Sequence, residues 1–224
     1  AYGMLASFPF QGYGAVSISF STLSVFISWW FAYLCWKDYS SQSGSKLAAR
    51  LTHWALAFLV LSSAGTFYLA FLMATKVNHP DLYFGAVYFY LHFQYNGWFF
   101  FTILALVLGR LPVVLQDRLR PILQILAIAT IPAWVLSALW MRLPTWMYLT
   151  ACIAAIVQLY AYLRMVALVF SGKSFQSLLP AVRFLWLLSL IALSVKFLLQ
   201  TGSIFPALSQ YAFAYRPVVI GYLH

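Results

Sequence analysis

Polar side chains that interrupt long apolar runs are the residues of this sequence best suited to chemistry. His92 and Asn96 are four residues apart in Tyr90–Phe101, a stretch otherwise rich in aromatic residues. At that spacing two side chains lie one turn apart on the same helix face. An imidazole nitrogen ligates haem iron or a metal ion, and the amide of Asn96 is placed to assist it. The same pair suits hydrogen bonds that hold neighbouring helices together, and both interpretations stay open.

His224 is a second candidate ligand. If its apolar run starts near Arg216, His224 lies about 12 Å deep at about 1.5 Å per residue. His92 lies at a similar depth when its run is counted from Tyr83. Two imidazoles at matched depth on different helices is the arrangement that bis-histidine haem ligation needs. We therefore predict His92 and His224 as haem or metal ligands.

Two basic residues lie toward the same predicted end of the bundle. Lys196 and Arg142, if they face inward, would pair with haem propionates or with an anionic substrate. The default for a long basic side chain is instead to extend toward the lipid headgroups. Gln158 lies near the middle of its apolar run and needs a hydrogen-bond partner there.

The remaining histidines and cysteines favour structural roles. His53 fits a membrane–water interface and His79 a solvent-exposed turn. Cys35 and Cys152 lack metal or redox spacing. Because no paired acids, nucleophile elbow or phosphate loop is present, the sequence names no catalytic residue. The apolar runs hold no carboxylate, which argues against a carboxylate proton relay or a sodium site.

Composition places these residues in a membrane. Hydrophobic residues make up 64% of the 224 residues and charged residues 7%, too few to cover a water-soluble particle. A helical span needs about 20 apolar residues, which predicts an all-α polytopic bundle of six to seven spans in a single transmembrane domain, 1–224. The predicted spans are 15–36, 51–75, 83–108, 121–141, 145–170, 181–201 and a partial 211–224. The sequence starts at Ala1 and stops inside this last run, so we expect a longer protein.

The net charge of +10 comes from thirteen Lys and Arg against three Asp. The basic residues lie between apolar runs, which indicates contact with the lipid bilayer rather than with nucleic acid. Loops 37–50, 110–120 and 171–183 hold eight of these residues, and the opposite loops hold Lys76, Arg142 and Arg216. The bias predicts that the first set is cytoplasmic, in a bacterial inner membrane.

Two segments resemble known membrane proteins. Tyr90–Phe101 and Arg216–His224 are similar to parts of haem–copper oxidase subunit I and of the multi-span proteins of the nitric-oxide response. The resemblance implies a helical bundle with haem- or metal-binding histidines deep in the spans. The oxidases also need an adjacent pair of histidines, which this sequence lacks. The resemblance therefore implies a low-spin-type haem site at most, unless a longer chain supplies further ligands.

Three functions follow as hypotheses. The first is a haem or metal protein in electron transfer or nitrogen-oxide handling, with His92 and His224 as ligands. The second is a non-catalytic membrane subunit whose aromatic helices dock onto other membrane subunits of a larger complex. The third is a small-solute transporter or channel that uses the polar face of His92, Gln94 and Asn96 together with Lys196.

Overall fold

Helices form all the regular structure in the described part of the chain. The structure is a computed structural model, and it describes residues 2–12, 14–41, 45–141, 143–171, 179–215 and 217. Within these ranges six stretches are long and apolar enough to cross a membrane. In lipid each segment must satisfy its own backbone hydrogen bonds, which a helix does. The predicted all-α polytopic bundle is therefore confirmed.

The helices are numbered along the chain. They are α1 Tyr2–Gln11, α2 Ala15–Ser41, α3 Lys46–Ala74, α4 Pro80–His92, α5 Phe100–Leu108, α6 Val113–Ala133, α7 Thr145–Ser171, α8 Pro180–Gly202 and α9 Pro206–Ala214. A π-helical segment, Phe93–Phe99, joins α4 to α5, and a 3-10 segment, Trp134–Ala138, extends α6. The membrane-length stretches are α2, α3, α4 through α5, α6 with its 3-10 extension, α7 and α8.

Short connections bring the helix ends together on two sides of the bundle. On the Arg110 side, Gln116 of α6 donates to the carbonyls of Gly109 and Leu111 at 3.1 and 2.7 Å and accepts from Ser45 at 2.6 Å. These bonds join the start of α3, the end of α5 and the start of α6. The opposite, Lys76 side carries the turn between α3 and α4. Which side faces the cytoplasm stays a prediction.

Three helices extend beyond the predicted apolar runs on the Arg110 side. Helix α2 continues to Ser41, α3 begins at Lys46 rather than 51, and α6 begins at Val113 rather than 121. Local capping explains the extension of α3, since the Ser45 hydroxyl accepts from the Ala48 N–H at 3.1 Å. Hydropathy detects only the part of a helix that lies in hydrocarbon, whereas these ends carry charged residues suited to water.

The predicted seventh run falls mostly outside the described residues. Tyr211, one of its two predicted starts, lies in the short helix α9. Residues 216 and 218–224, including His224, are not among those described.

Glycines allow close approach between helices in the core. A Cβ at Gly97 in the π segment would lie 2.5 Å from the Cβ of Phe58 in α3. Phe58 also stacks on Phe93 at 5.7 Å and lies 5.5 Å from Phe101, between ring centroids. This contact fixes α3 against the π segment, as small residues do in membrane helix pairs.

Gly97→Ala is expected to lower the free energy of unfolding by about 1–3 kcal/mol, the usual cost of overpacking. Gly85→Ala is the matched control in the same membrane-length stretch, because its nearest neighbour is the Met141 sulfur at 4.0 Å. Thermal unfolding in detergent measures both. Equal midpoints for the two variants would contradict the close approach at Gly97.

Candidate functional site

His92 lies at the junction of α4 and the π segment, and only 5% of it is exposed. Its Nε2 atom lies 2.9 Å from the Thr130 carbonyl oxygen of α6, and its Nδ1 atom lies 3.2 Å from Asn96 Nδ2. A carbonyl oxygen only accepts, so Nε2–H is the donor and Nδ1 accepts from the amide. Both ring nitrogens of His92 are therefore engaged by protein groups.

A change of helix type frees the carbonyl that His92 uses. In an α-helix the Thr130 carbonyl would accept from the N–H of Trp134, four residues later. The chain tightens into its 3-10 segment at this point, and the Trp134 N–H bonds to the Ile131 carbonyl. The Thr130 carbonyl is then available to accept from the imidazole.

The polar residues that follow His92 lie in the π segment and have different partners. Gln94 donates to the Ser62 hydroxyl of α3 at 2.8 Å, whereas His92 bonds to α6 and Asn96 bonds to His92. The residues that were predicted as one polar face thus contact two different helices. π-Helical turns of this kind are found frequently at functional sites.

Hydrogen bonds continue from Thr130 across two more helices. Gln158 Nε2 of α7 donates to Thr130 Oγ1 at 2.9 Å, and Gln200 Nε2 of α8 donates to Gln158 Oε1. Lys196 Nζ donates to Gln200 Oε1 at 2.6 Å. We call this set the polar chain, and its members are Lys196, Gln200, Gln158, Thr130, His92 and Asn96.

The bonds from Lys196 to Thr130 all run in one direction. Each amide accepts on the side nearer Lys196 and donates on the far side, and Thr130 Oγ1 donates onward to the Leu126 carbonyl at 2.9 Å. Aligned bonds of this kind polarise one another. The Gln200 oxygen accepts from the ammonium group, and the amides of Gln200 and Gln158 both direct their oxygens toward the Lys196 end of the chain of bonds. The ammonium also lies 4.0 Å from the centroid of the Phe197 ring, a cation–π contact.

The burial of the polar chain rises toward the centre of the bundle. Gln158 and Thr130 are 2% and 1% exposed, whereas Lys196 and Gln200 are half-buried. Lys196 precedes the end of α8 at Gly202 by six residues, about 9 Å along the helix. The ammonium therefore lies below the Lys76 side and bonds to Gln200, which is one turn nearer to the end of α8.

The described residues do not fit a haem held by His92 in this arrangement. Iron ligation would require a ring nitrogen to leave Thr130 or Asn96. Within the described ranges no group of three or more His, Cys, Asp or Glu side chains could hold a metal ion. Arg142 and His224 lie outside those ranges, so haem ligation by His92 and His224 stays a prediction.

The other titratable residues that the sequence singled out lie away from the polar chain. The His53 ring stacks on Trp36 at 4.3 Å between centroids, near the Arg110 side. His79 is exposed and precedes α4. Cys35 and Cys152 are free thiols.

Sequence reasoning missed two members of the polar chain, Thr130 and Gln200. Gln200 could have been predicted as a partner of Lys196, since it follows Lys196 by four residues and so lies on the same helix face. Thr130 gave little indication in the sequence of a contact with another helix, because a threonine in an apolar helix usually bonds to its own backbone.

In comparisons with known proteins, neither a family model nor a curated protein nor a solved structure matches this chain.

Gln158→Leu is expected to lower the free energy of unfolding by about 0.6–2 kcal/mol, the range for hydrogen bonds between membrane helices. In a chain that already carries Gln158→Leu, the further change Gln200→Leu is expected to lower the free energy of unfolding by less than it does in the wild type, because Gln200 has already lost its partner. Denaturation of the two single variants and the double variant in detergent gives the coupling free energy between positions 158 and 200. Thr150→Val is the control, since Thr150 is exposed and bonds only within α7. Strict additivity would contradict the Gln158–Gln200 bond.

Absorbance spectroscopy tests the haem prediction separately. If His92 keeps its contacts with Thr130 and Asn96, we expect purified protein mixed with haem to keep the spectrum of free haem, because both ring nitrogens are occupied. A Soret band of bound haem that His92→Ala abolishes would contradict this expectation and support His92 as a ligand.

Proposed function

We propose that this integral membrane protein binds a small anion at Lys196 and moves it across the bilayer. The observation that carries the proposal is the polar chain, which begins at a lysine ammonium within a membrane-length helix and continues through two glutamine amides into the buried core. Charged residues inside spans commonly mark the path of a substrate or ion.

The charge at Lys196 needs a negative partner. A lysine ammonium has three N–H donors, and Gln200 Oε1 accepts one of them at 2.6 Å. The carboxylates of the sequence are Asp38, Asp81 and Asp117, which lie toward the ends of α2, α4 and α6. Among the described contacts of Lys196 none is with a carboxylate. A small anion that enters from the Lys76 side would supply the missing charge.

The polar chain reaches only part of the way through the bundle. Beyond His92, toward the Arg110 side, the buried core is apolar and includes Phe101, Leu104, Leu119 and Leu123. A packed apolar layer would block ions in this conformation. The arrangement favours a carrier that opens one side at a time over a continuously open channel.

Anion flux into proteoliposomes tests the proposal. Chloride, nitrate and phosphate serve as separate probes of the wild-type protein. Lys196→Met is expected to reduce the flux by about tenfold or more, since losing a charged hydrogen-bond partner costs about 1.5–3 kcal/mol. Lys196→Arg is expected to retain part of the flux, because it keeps the charge.

The matched control is Lys76→Met, which removes the same charge from an exposed turn on the same side. It is expected to leave the flux unchanged. Absence of wild-type flux for all three anions, or equal flux in Lys196→Met, would overturn the proposal.

A second candidate function is that of a membrane subunit in a larger complex. In the most apolar parts of α2 and α8, 11% and 6% of the residues are buried, whereas 33–50% are buried in the corresponding parts of the other four membrane-length stretches. Trp30 and Tyr33 of α2 are 63% and 60% exposed. Extraction of the protein with its surrounding lipid, followed by mass measurement, distinguishes the two candidate functions. A stoichiometric partner subunit, together with the absence of anion flux, would favour a membrane subunit over an anion carrier.

A further inference from the structure

We infer that the groove between α2, α3 and α5 on the Arg110 side binds one acyl chain of an anionic phospholipid, whose phosphate contacts Arg110. The inference is independent of the proposed anion site, which lies at the opposite end of the membrane-length helices.

Small residues create the groove. It has a volume of about 340 Å³, and small lining residues include Cys35 of α2, Ala48 of α3, and Ala105 and Gly109 at α5. A Cβ at Gly109 would lie 2.7 Å from the Cβ of Ala48, so α3 and the end of α5 meet closely beneath it. Small side chains on three neighbouring helices thus leave a groove with an apolar lining.

The depth of the groove matches one leaflet of a bilayer. Arg110 and Tyr39 line the groove near the ends of α5 and α2, and Trp98 and Phe31 line it further in. Twelve residues separate Trp98 from Arg110, about 18 Å of helix, and half of a bilayer hydrocarbon core is about 15 Å thick. The Phe31 and Trp98 rings meet edge to face at 6.3 Å between centroids. An acyl chain that starts at the headgroup level would end near this ring pair.

The flank of the groove carries exposed apolar side chains. Leu106 and Phe31, both in its lining, are 62% and 46% exposed. Both belong to membrane-length helices, so this flank faces hydrocarbon when the protein is in a membrane. A lipid would enter sideways from the bilayer, whereas a water-soluble ligand would have to cross the lipid to reach the deep end.

Charge at the mouth selects the headgroup. Arg110 is exposed and lines the groove, and none of the described lining residues is acidic, although Asp38 of α2 lies close to Cys35 beside the groove. A guanidinium group recognises phosphate through paired N–H donors. A zwitterionic headgroup offers the same phosphate but adds a positive ammonium, so the mouth favours an anionic lipid.

Native mass spectrometry of the full chain tests this inference. The delipidated protein in detergent is given equal amounts of dioleoyl phosphatidylglycerol and dioleoyl phosphatidylcholine, which differ only in the headgroup. We expect the first bound lipid to be phosphatidylglycerol about five times as often as phosphatidylcholine, which is the effect of one basic residue near an anionic headgroup. Arg110→Gln is expected to remove the preference. Arg164→Gln, which removes an exposed arginine from α7, is expected to keep it.

A second pair of variants tests the groove itself. Cys35→Phe is expected to fill the groove and to lower the binding of both lipids by about tenfold, since the acyl chain loses its buried surface. Cys152→Phe places the same ring at the other partly buried cysteine, in α7 and outside the groove lining, and should bind lipid like the wild type. Equal binding of the two lipids by the wild type, or unchanged binding by both Arg110→Gln and Cys35→Phe, would overturn the inference.

Discussion

The interior of this bundle depends on one constraint, which is that polar groups buried among apolar helices must bond to each other. The side-chain bond between Gln158 and Gln200 is where that constraint matters most. Helix α8 buries little of its surface, so specific contacts with α7 have to locate it. Tyr162 supplies two of them, since its hydroxyl donates to the Leu190 carbonyl at 2.8 Å and its ring stacks on Phe197 at 4.6 Å. The glutamine pair adds the contact that also reaches the charge at Lys196.

Two departures from α-helical geometry make the rest of the polar chain possible. The 3-10 segment after Ala133 releases a carbonyl for His92, and the π segment carries Gln94, which bonds to α3, and Asn96, which bonds to the imidazole. The 3-10 segment exchanges an ordinary backbone bond for a contact between helices. Such exchanges are tolerated inside a membrane only where neighbouring groups satisfy the freed atoms. The same irregularities therefore fix the fold and assemble the candidate site.

The sequence predicted the architecture well and the contacts poorly. Apolar runs separated by charged loops identify spans because burial in lipid requires them, and the six membrane-length helices follow. The starts of α3 and α6 lie outside those runs, because charged first turns suit water, where hydropathy gives no signal, and in α3 the Ser45 hydroxyl also caps the helix. His92, Asn96 and Gln158 stood out as polar residues in apolar runs. Their partners could not be predicted, because the partner of a buried side chain depends on how the helices pack, and Thr130 enters through a backbone carbonyl released by a local change of helix type.

The position of α8 against α7 is the claim on which the polar chain and the proposed anion site both rest. Cysteine cross-linking tests it most directly. Gln158→Cys and Gln200→Cys are combined in a chain whose native cysteines are replaced through Cys35→Ser and Cys152→Ser, and the protein is treated in membranes with a short bifunctional thiol reagent. We expect rapid cross-linking of this pair and little for Gln158→Cys with Leu199→Cys, because Leu199 is 55% exposed on another face of α8. Equal cross-linking of the two pairs, or none at positions 158 and 200, would show that Gln200 does not face Gln158.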